Sequence, residues 1–324
     1  MSGYAINVPN FGDFADPMVF ATVASRAEEA GWDGLFVWDH VVYGRRSGRP
    51  IADPWILLTA AALATQRIRL GTMVTPVARR HPSKLAREVA TLDRLSNGRI
   101  VLGVGLGGPI EDEYDTFGGP TDPKELAARL DEGLAALDLL WSGEPATYLG
   151  SHVTLKDVIF QPTPVQRPRV PIWVGGQWPH KAPMRRAARW DGAVPLLPSA
   201  AQGSPDPAEV RELRAFLDAS RRDPLPRKPF DLLLGGTTEP HTAADIIGPL
   251  VEAGMTWWQE RLLPTDPQLE CSTPILRRIE QGPLAFGGQS RHPKAAPRPH
   301  HAGPVLKDAH TEPYDGPEVD WPSW

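Results

Sequence analysis

A chain of 324 residues with 41% hydrophobic and 23% charged residues has the composition of a globular protein that can bury a sizeable core. Its formal net charge of −5 lacks the positive excess that a nucleic-acid backbone attracts, so we expect no nucleic-acid partner. The single cysteine, Cys271, excludes an intrachain disulfide and a zinc site with several cysteine ligands, which favours a cytoplasmic location. No stretch has the roughly 18 apolar residues of a membrane helix, and no secretory signal is evident, so no membrane association is expected.

Short strand patterns alternate with helical patterns along the first half of the chain. The predicted strands are 4–8, 34–38, 68–74 and 100–104, and the predicted helices are 17–30, 54–65 and 82–95. Pro17 and Pro82 stand where a first-turn proline is tolerated, and Gly31 and Gly98 follow the last periodic residues. This alternation is typical of βαβ units.

The second half repeats the pattern after a helix at 123–141 and an irregular proline-rich stretch. The further predicted strands are 171–174, 191–196, 230–234 and 256–260, and the further helices are 182–189, 207–219, 242–253 and 274–279. Eight strand–helix units in one domain favour a closed (β/α)₈ TIM barrel, of the α/β class, over an open doubly wound sheet.

Prolines break every run from about residue 284 onward, and few aliphatic residues remain there. Such a segment cannot bury enough apolar area to offset its ordering entropy. We therefore predict a barrel domain at 1–283 and a flexible tail at 284–324. The irregularly spaced tail histidines do not predict a metal site; they are His292, His300, His301 and His310.

Residues at the carboxyl ends of barrel strands face the active site. Asp39 and His40 follow the second predicted strand, and a histidine titrates near neutral pH, so His40 is a candidate for proton exchange. The structural alternative is a loop histidine bonded to Asp39 or to the backbone.

The third and fourth predicted strands end in segments suited to a planar ligand. Residues 72–76 end in proline and can present backbone groups, although a buried strand and turn would look the same. The glycine-rich segment 103–108 lacks the dinucleotide-binding spacing, and it indicates either backbone clearance for a flat ring or a tight turn.

Two glycine pairs are candidates for a phosphate site, and spacing leaves the choice between them open. Gly235 and Gly236 follow the seventh predicted strand, where barrel enzymes often bind phosphate. Gly175 and Gly176 follow the fifth, and the next helix carries basic residues at Lys181, Arg185 and Arg186.

An acidic run at residues 111–115 follows the fourth predicted strand. It lacks nearby histidines, so a solvated loop is favoured over a metal site, while one carboxylate could reach the substrate. In the last predicted strand Trp257 and Trp258 are more typical of core than of a pocket floor.

Taken together, four segments resemble the luciferase-like flavin-dependent oxidoreductases. They are residues 35–40 (Leu-Phe-Val-Trp-Asp-His), 71–76, 91–99 (Thr-Leu-Asp-Arg-Leu-Ser-Asn-Gly-Arg) with 102–105, and 171–176. The resemblance covers roughly residues 4–280. It implies the same TIM barrel and a reduced flavin mononucleotide (FMN) or reduced coenzyme F420 at the strand ends.

The resemblance also implies roles for individual residues. His40 lies beside the cofactor ring, the ring rests on the backbone of Val74 and Thr75, and Gly105 and Gly107 are further ring neighbours. Gly175 and Gly176 take the cofactor phosphate, and a catalytic carboxylate falls at Glu111 or Glu113. Asp39 and Gln177 complete the set of expected cofactor-binding residues.

Two departures from the family pattern have consequences. The insertion that luciferase carries after its seventh strand is absent, so light emission is not expected. Gln177 and Trp178 stand where the family commonly has serine, which leaves a phosphate contact to the backbone.

We expect an enzyme that transfers a hydride to, or monooxygenates, a small organic substrate, and the segment 38–40 favours F420 over FMN. One alternative is a non-catalytic flavin-binding protein of the same fold. Another is an aldolase or isomerase barrel, for which Glu260 is the candidate acid or base. Family habit implies a homodimer.

Overall fold

The computed structural model describes residues 3–222, 229–239, 241–262 and 264–283. Contacts divide the chain into two units, 1–289 and 290–324, and the second lies outside the described residues. The predicted flexible tail at 284–324, with its histidines, also lies outside them.

The described residues form ten strands and nine α-helices. The strands are β1 (Gly3–Val8), β2 (Gly34–Val37), β3 (Arg69–Pro76), β4 (Ile100–Gly105), β5 (Ala146–Leu149), β6 (Thr154–Val158), β7 (Ile172–Gln177), β8 (Gly192–Leu196), β9 (Asp231–Gly236) and β10 (Trp257–Glu260). The helices are α1 (Pro17–Glu29), α2 (Pro54–Ala64), α3 (Pro82–Leu95), α4 (Ile110–Glu113), α5 (Pro123–Ser142), α6 (Lys181–Ala187), α7 (Pro207–Ser220), α8 (Ala243–Glu252) and α9 (Ser272–Glu280).

Eight parallel strands close into a barrel in the order β1-β10-β9-β8-β7-β4-β3-β2. Each of the eight predicted strands is one of these barrel strands, so the predicted (β/α)₈ fold is confirmed. The β3–β4 pairing shifts register between Thr72 and Thr75, next to a cis peptide bond joining Met73 and Val74.

Four helices begin with the same dipeptide, an aspartate followed by proline. The aspartate side chain caps the helix by accepting from a backbone N–H of the first turn, and the proline occupies the first helical position, where no N–H is needed. The capping residues are Asp16, Asp53, Asp122 and Asp206.

The proline-rich stretch after α5 contains a structure that the sequence analysis missed. β5 and β6 pair antiparallel as a separate two-stranded sheet. The carboxylate of Glu132 on α5 accepts from the backbone N–H groups of Ser151, His152 and Val153 and so fixes the connecting turn. The strands β5 and β6 are only four and five residues long, too short to give a clear alternating pattern of apolar and polar residues.

The barrel interior is filled by one layer of large side chains. Ala5, Phe36, Met73, Val101, Trp173, Val194, Leu233 and Trp257 form this cluster. Trp258 packs on the outer side against the helices, so the prediction that both tryptophans belong to the core is confirmed. Because strand residues alternate between the two faces, the next inward positions toward the strand carboxyl ends are Gly103 and Gly105 on β4, Gly175 on β7 and Gly235 on β9.

Candidate active site at the carboxyl ends of the strands

His40 and Glu113 come from different strand–helix connections and meet at the barrel mouth. The Nδ1 atom of His40 lies 2.8 Å from Oε1 of Glu113, and the Glu113 side chain is fully buried. His40 follows β2, and its main chain is held on both sides by Asn10, which donates to the His40 carbonyl and accepts from the His40 N–H. Glu113 ends the short helix α4, which follows β4.

The surroundings of His40 keep its imidazole neutral near pH 7. Burial, and then the positive charge of Arg79, lower the pKa of His40 from 6.5 to about 4, against the opposing charges of Asp39 and Asp112. An ionised carboxylate only accepts hydrogen bonds, so Nδ1 keeps the proton and donates a hydrogen bond to the Glu113 carboxylate. Nε2 is then an unprotonated acceptor, the form that a general base requires.

A buried ion cluster lies behind this pair. Oδ2 of Asp39 accepts from Thr75 Oγ1 at 2.8 Å, and the carboxylate also accepts from Arg79 and Arg80. Arg79 contacts Glu113 as well, so it joins the two buried carboxylates. The Asp39 side chain is fully buried, which places it inside the cluster and not at an open surface.

Glycines leave room at the centre of the barrel mouth, and Val74 occupies part of it. A Cβ atom on Gly105 would lie 2.8 Å from Cγ2 of Val74, and one on Gly175 would lie 3.0 Å from Cγ1. Both are closer than ordinary van der Waals contacts, so side chains on β4 and β7 would displace Val74. The side chain of Val74 thus packs on the bare backbone at Gly105 and Gly175, and these three residues are called the floor of the site.

The predicted ring neighbours differ in their surroundings. Gly107 adopts a φ of +78°, and a Cβ there would lie 2.6 Å from Pro76, so its backbone conformation and its contact with β3 both require glycine. Thr75 is fully buried, main chain included, and its hydroxyl is engaged within the ion cluster, so the contact of its backbone with a cofactor ring stays a prediction.

The two glycine pairs that compete for a phosphate are exposed to different degrees. Gly175 and Gly176 are partly exposed, and Gln177 is exposed. Gly235 and Gly236 are buried, the first under the Gln259 side chain and the second against Trp258. Gly176 packs against Pro183 of α6, where a Cβ would come within 2.3 Å. Accessibility therefore favours the first pair as an anion site.

The acidic run at 111–115 separates into different environments. Glu113 contacts His40, Glu111 is exposed, and Asp112 accepts from the backbone N–H of Gly44 at 2.7 Å. Among the described residues no group of three or more histidine, cysteine, aspartate or glutamate side chains is arranged to hold a metal ion.

Aromatic rings line one side of His40. The ring centroids of His40 and Tyr43 are 4.8 Å apart, and Tyr43 stacks on Phe11 at 5.0 Å. Trp38 meets His40 edge to face at 5.7 Å. Arg49 covers Phe11 and pairs with Glu270, which holds the loop after β2 against the segment preceding α9.

Glu260, the acid or base of the alternative aldolase or isomerase barrel, lies on the outer side of its strand. It contacts Thr238, Trp258 and Arg278 and is buried. It is thus separated from the barrel mouth, and no described feature supports that alternative.

Arg79 and Arg80, which organise the ion cluster, were not among the residues predicted from sequence. A signal for the ion cluster was present in the sequence. Two consecutive arginines follow one barrel strand, and acidic residues follow the neighbouring strands. Buried carboxylates need cationic partners, so Asp39 and Glu113 in one site predict such residues.

A search of the parts of the chain described above found no helix long and apolar enough to cross a membrane.

Comparison with known proteins identifies the family of the chain. The family model for luciferase-like monooxygenases matches residues 15–235. An F420-dependent glucose-6-phosphate dehydrogenase of Beutenbergia cavernae is 42% identical over 149 residues, which cover 45% of this chain and 42% of that protein. The chain spans about half the length of the curated relatives of this kind that it matches.

Solved structures share the fold. Monooxygenase RslO1 from Streptomyces bottropensis is 27% identical with a TM-score of 0.60, over 78% of this chain and 77% of that one. An F420-dependent secondary alcohol dehydrogenase has a TM-score of 0.66 at 17% identity and covers 86% of this chain and 99% of its own. The matched family model covers more than half of the chain, and the barrel and its order of strands agree with it: this chain belongs to the family of luciferase-like monooxygenases.

Proposed function

We propose that this protein is an F420-linked oxidoreductase that moves a hydride between the cofactor and the oxygen-bearing carbon of a small organic alcohol or carbonyl substrate. The observation that carries the proposal is the His40–Glu113 pair, a neutral imidazole with an unprotonated Nε2 at the same end of the barrel as Gly105 and Gly175. A hydroxyl group that loses a hydride from its carbon must also lose its proton, and this pair supplies the base.

The described residues fit a planar cofactor at the barrel mouth. Val74, Gly105 and Gly175 would support its ring, and the partly exposed backbone at Gly175 and Gly176, next to Gln177, would receive its phosphate. The bound cofactor supplies the hydride chemistry, and the protein supplies orientation and electrostatics.

In alcohol oxidation His40 takes the hydroxyl proton at Nε2 as the carbonyl bond forms. The imidazolium that results is stabilised by Glu113, which accepts from Nδ1–H. Arg79 contacts Glu113 and Asp39 and so holds the Glu113 carboxylate in place. In the reverse direction the same Nε2–H returns the proton to the alkoxide oxygen.

The names of the relatives support F420 as the cofactor, since the matched curated proteins include F420-dependent glucose-6-phosphate dehydrogenases. A second candidate is an FMN-dependent monooxygenase, because the 27% identical neighbour is called a monooxygenase. The non-catalytic alternative is less well supported, because a carrier has no need for a neutral histidine paired with a buried carboxylate.

The test is anaerobic incubation with oxidised F420 and a panel of neutral and anionic small alcohols, glucose 6-phosphate included, followed by absorbance. We expect reduction of F420 by at least one alcohol, and a loss of about 10²-fold or more in rate with His40→Ala. Oxygen uptake with reduced FMN in a parallel assay, without any F420 reduction, would favour the monooxygenase instead.

We also propose that the protein is a homodimer that associates through α2. This helix is apolar on all sides, and its outward residues Ile56 and Leu63 are 61% and 72% exposed. A helix of this kind is normally buried on every face. A second copy would cover the outward face symmetrically.

The cytoplasmic location expected from the single cysteine stays a prediction.

A further inference from the structure

Arg261 is a partly buried arginine without a partner among the described residues, unlike several arginines in similar surroundings. Arg79, Arg80 and Arg186 each pair with a carboxylate, and Arg99 donates to the main-chain carbonyls of residues 62, 65, 68 and 96. Within the described residues Arg261 has neither a carboxylate nor a side-chain hydrogen bond, and its Nε atom is buried without an acceptor. Burial alone lowers the pKa of Arg261, with no nearby charge opposing it.

The strand register places this side chain at the mouth of the barrel. The Arg261 N–H donates to the carbonyl of Gly236 at 3.0 Å, so the residue continues the β10 ladder by one position. On this strand Trp257 faces the barrel interior and Trp258 the helices. Alternation then puts Arg261 on the inward side, one layer above Gln259, whose side chain accepts from Asn7.

Arg261 also lies on the same side of the mouth as His40. β10 and β2 both flank β1, so the two strands are about 10 Å apart across β1. The next residue, Leu262, packs against the cluster of Phe11, Trp38 and Leu269, which adjoins His40. A small molecule whose reacting carbon lies at His40 can therefore reach Arg261 with its other end.

The side chain of Arg261 is partly exposed and only its Nε atom is buried without an acceptor, so its terminal nitrogens are open to a ligand of opposite charge. Arginine presents several donors in a fork that matches carboxylate and phosphate oxygens. We propose that Arg261 binds an oxyanion group of the substrate, a carboxylate or a phosphate, and thereby selects small anionic substrates. The role in substrate selection rests on the proposed function. The existence of an anion site depends only on Arg261.

The test uses inorganic phosphate as the probe, at constant ionic strength, with binding followed by phosphorus NMR on the F420-saturated protein. The variants are Arg261→Gln, Arg261→Lys and, as a matched control on the exposed end of α9, Arg277→Gln. We expect phosphate to bind the wild type, to bind Arg261→Gln at least tenfold more weakly, and to bind the other two within about threefold of the wild type.

Two further readouts separate this role from others. Without ligand, the melting temperature of Arg261→Gln should equal or exceed that of the wild type, because Arg261 has no partner to lose among the described residues; loss of a structural arginine would lower it. The affinity for F420 should stay unchanged in all three variants.

Equal phosphate affinity in the wild type and Arg261→Gln, or no phosphate binding at all, would overturn the inference. So would a matching loss of F420 affinity in Arg261→Gln, since the anion would then belong to the cofactor. If neither F420 nor FMN binds while phosphate binding to the cofactor-free protein still depends on Arg261, the proposed function fails and the anion site stands.

Discussion

The proton chemistry of the site depends on the contrast between two residues two positions apart. Glu113 is buried against His40 and Arg79, whereas Glu111 is exposed. Spacing in the sequence did not distinguish them, because both lie on a four-residue helix whose orientation is set by its contacts with the loop after β2. The choice of Glu113 over Glu111 for the proposed catalytic pair thus required the three-dimensional structure.

Replacing Glu113 with glutamine should lower the rate of hydride exchange at least about tenfold. Glutamine removes the charge that stabilises the imidazolium and can present its NH₂ to Nδ1, which would reverse the tautomer. Nitrogen NMR of the imidazole should show the proton leaving Nδ1. Glu111→Gln is the matched control, and a similar loss in that variant would assign the role to the wrong carboxylate.

His40 should also make the stability of the protein depend on pH. The unfolded residue takes up a proton below pH 6.5 and the folded residue only below about 4, so the free energy of unfolding falls as the pH falls through this interval. Between about pH 7 and pH 5 the loss from this residue is about 2 kcal/mol.

Urea unfolding at both pH values measures this contribution. His40→Gln should lose about 2 kcal/mol less than the wild type over the interval, whereas His152→Gln, at an exposed position, should match the wild type. Parallel curves for all three proteins would show that His40 is not held neutral by burial.

Helix starts and barrel strands could be predicted from sequence, because each is determined by residues close together along the chain. Asp-Pro dipeptides begin four of the nine described helices, and the β-branched runs correspond to barrel strands. The β5–β6 hairpin was missed because its turn is stabilised by Glu132, 19 to 21 residues away in sequence. The ion cluster was missed for the same reason, since its members follow three different strands.

The floor of the site can be tested by packing. Gly105→Ala places a methyl group 2.8 Å from Val74 and should destabilise the protein by about 1–3 kcal/mol. Adding Val74→Ala should recover much of that loss in a double-mutant cycle measured by urea unfolding. Gly108→Ala, where a Cβ meets nothing within 4 Å, is the control. Additive losses in the double variant would mean that Val74 does not fill the space left by Gly105.

At the scale of the whole molecule, the apolar outward face of α2 predicts the state of assembly. Ile56→Glu combined with Leu63→Glu should convert the dimer to a monomer in sedimentation experiments, because charged side chains would be buried at the contact. Leu149→Glu, at a residue 75% exposed on β5, should leave the dimer intact. A wild type that sediments as a monomer would exclude this interface.

The proposed deazaflavin site lies at the barrel mouth between His40 and Val74, and the decisive experiment is titration with oxidised F420 and with FMN. Quenching of cofactor fluorescence should show saturable one-to-one binding of F420, tighter than that of FMN. Gly175→Val, whose side chain would enter the floor beside Val74, should weaken binding at least tenfold while the protein stays folded. Failure of both cofactors to bind, or unchanged F420 affinity in folded Gly175→Val, would show that the ring does not lie on this floor.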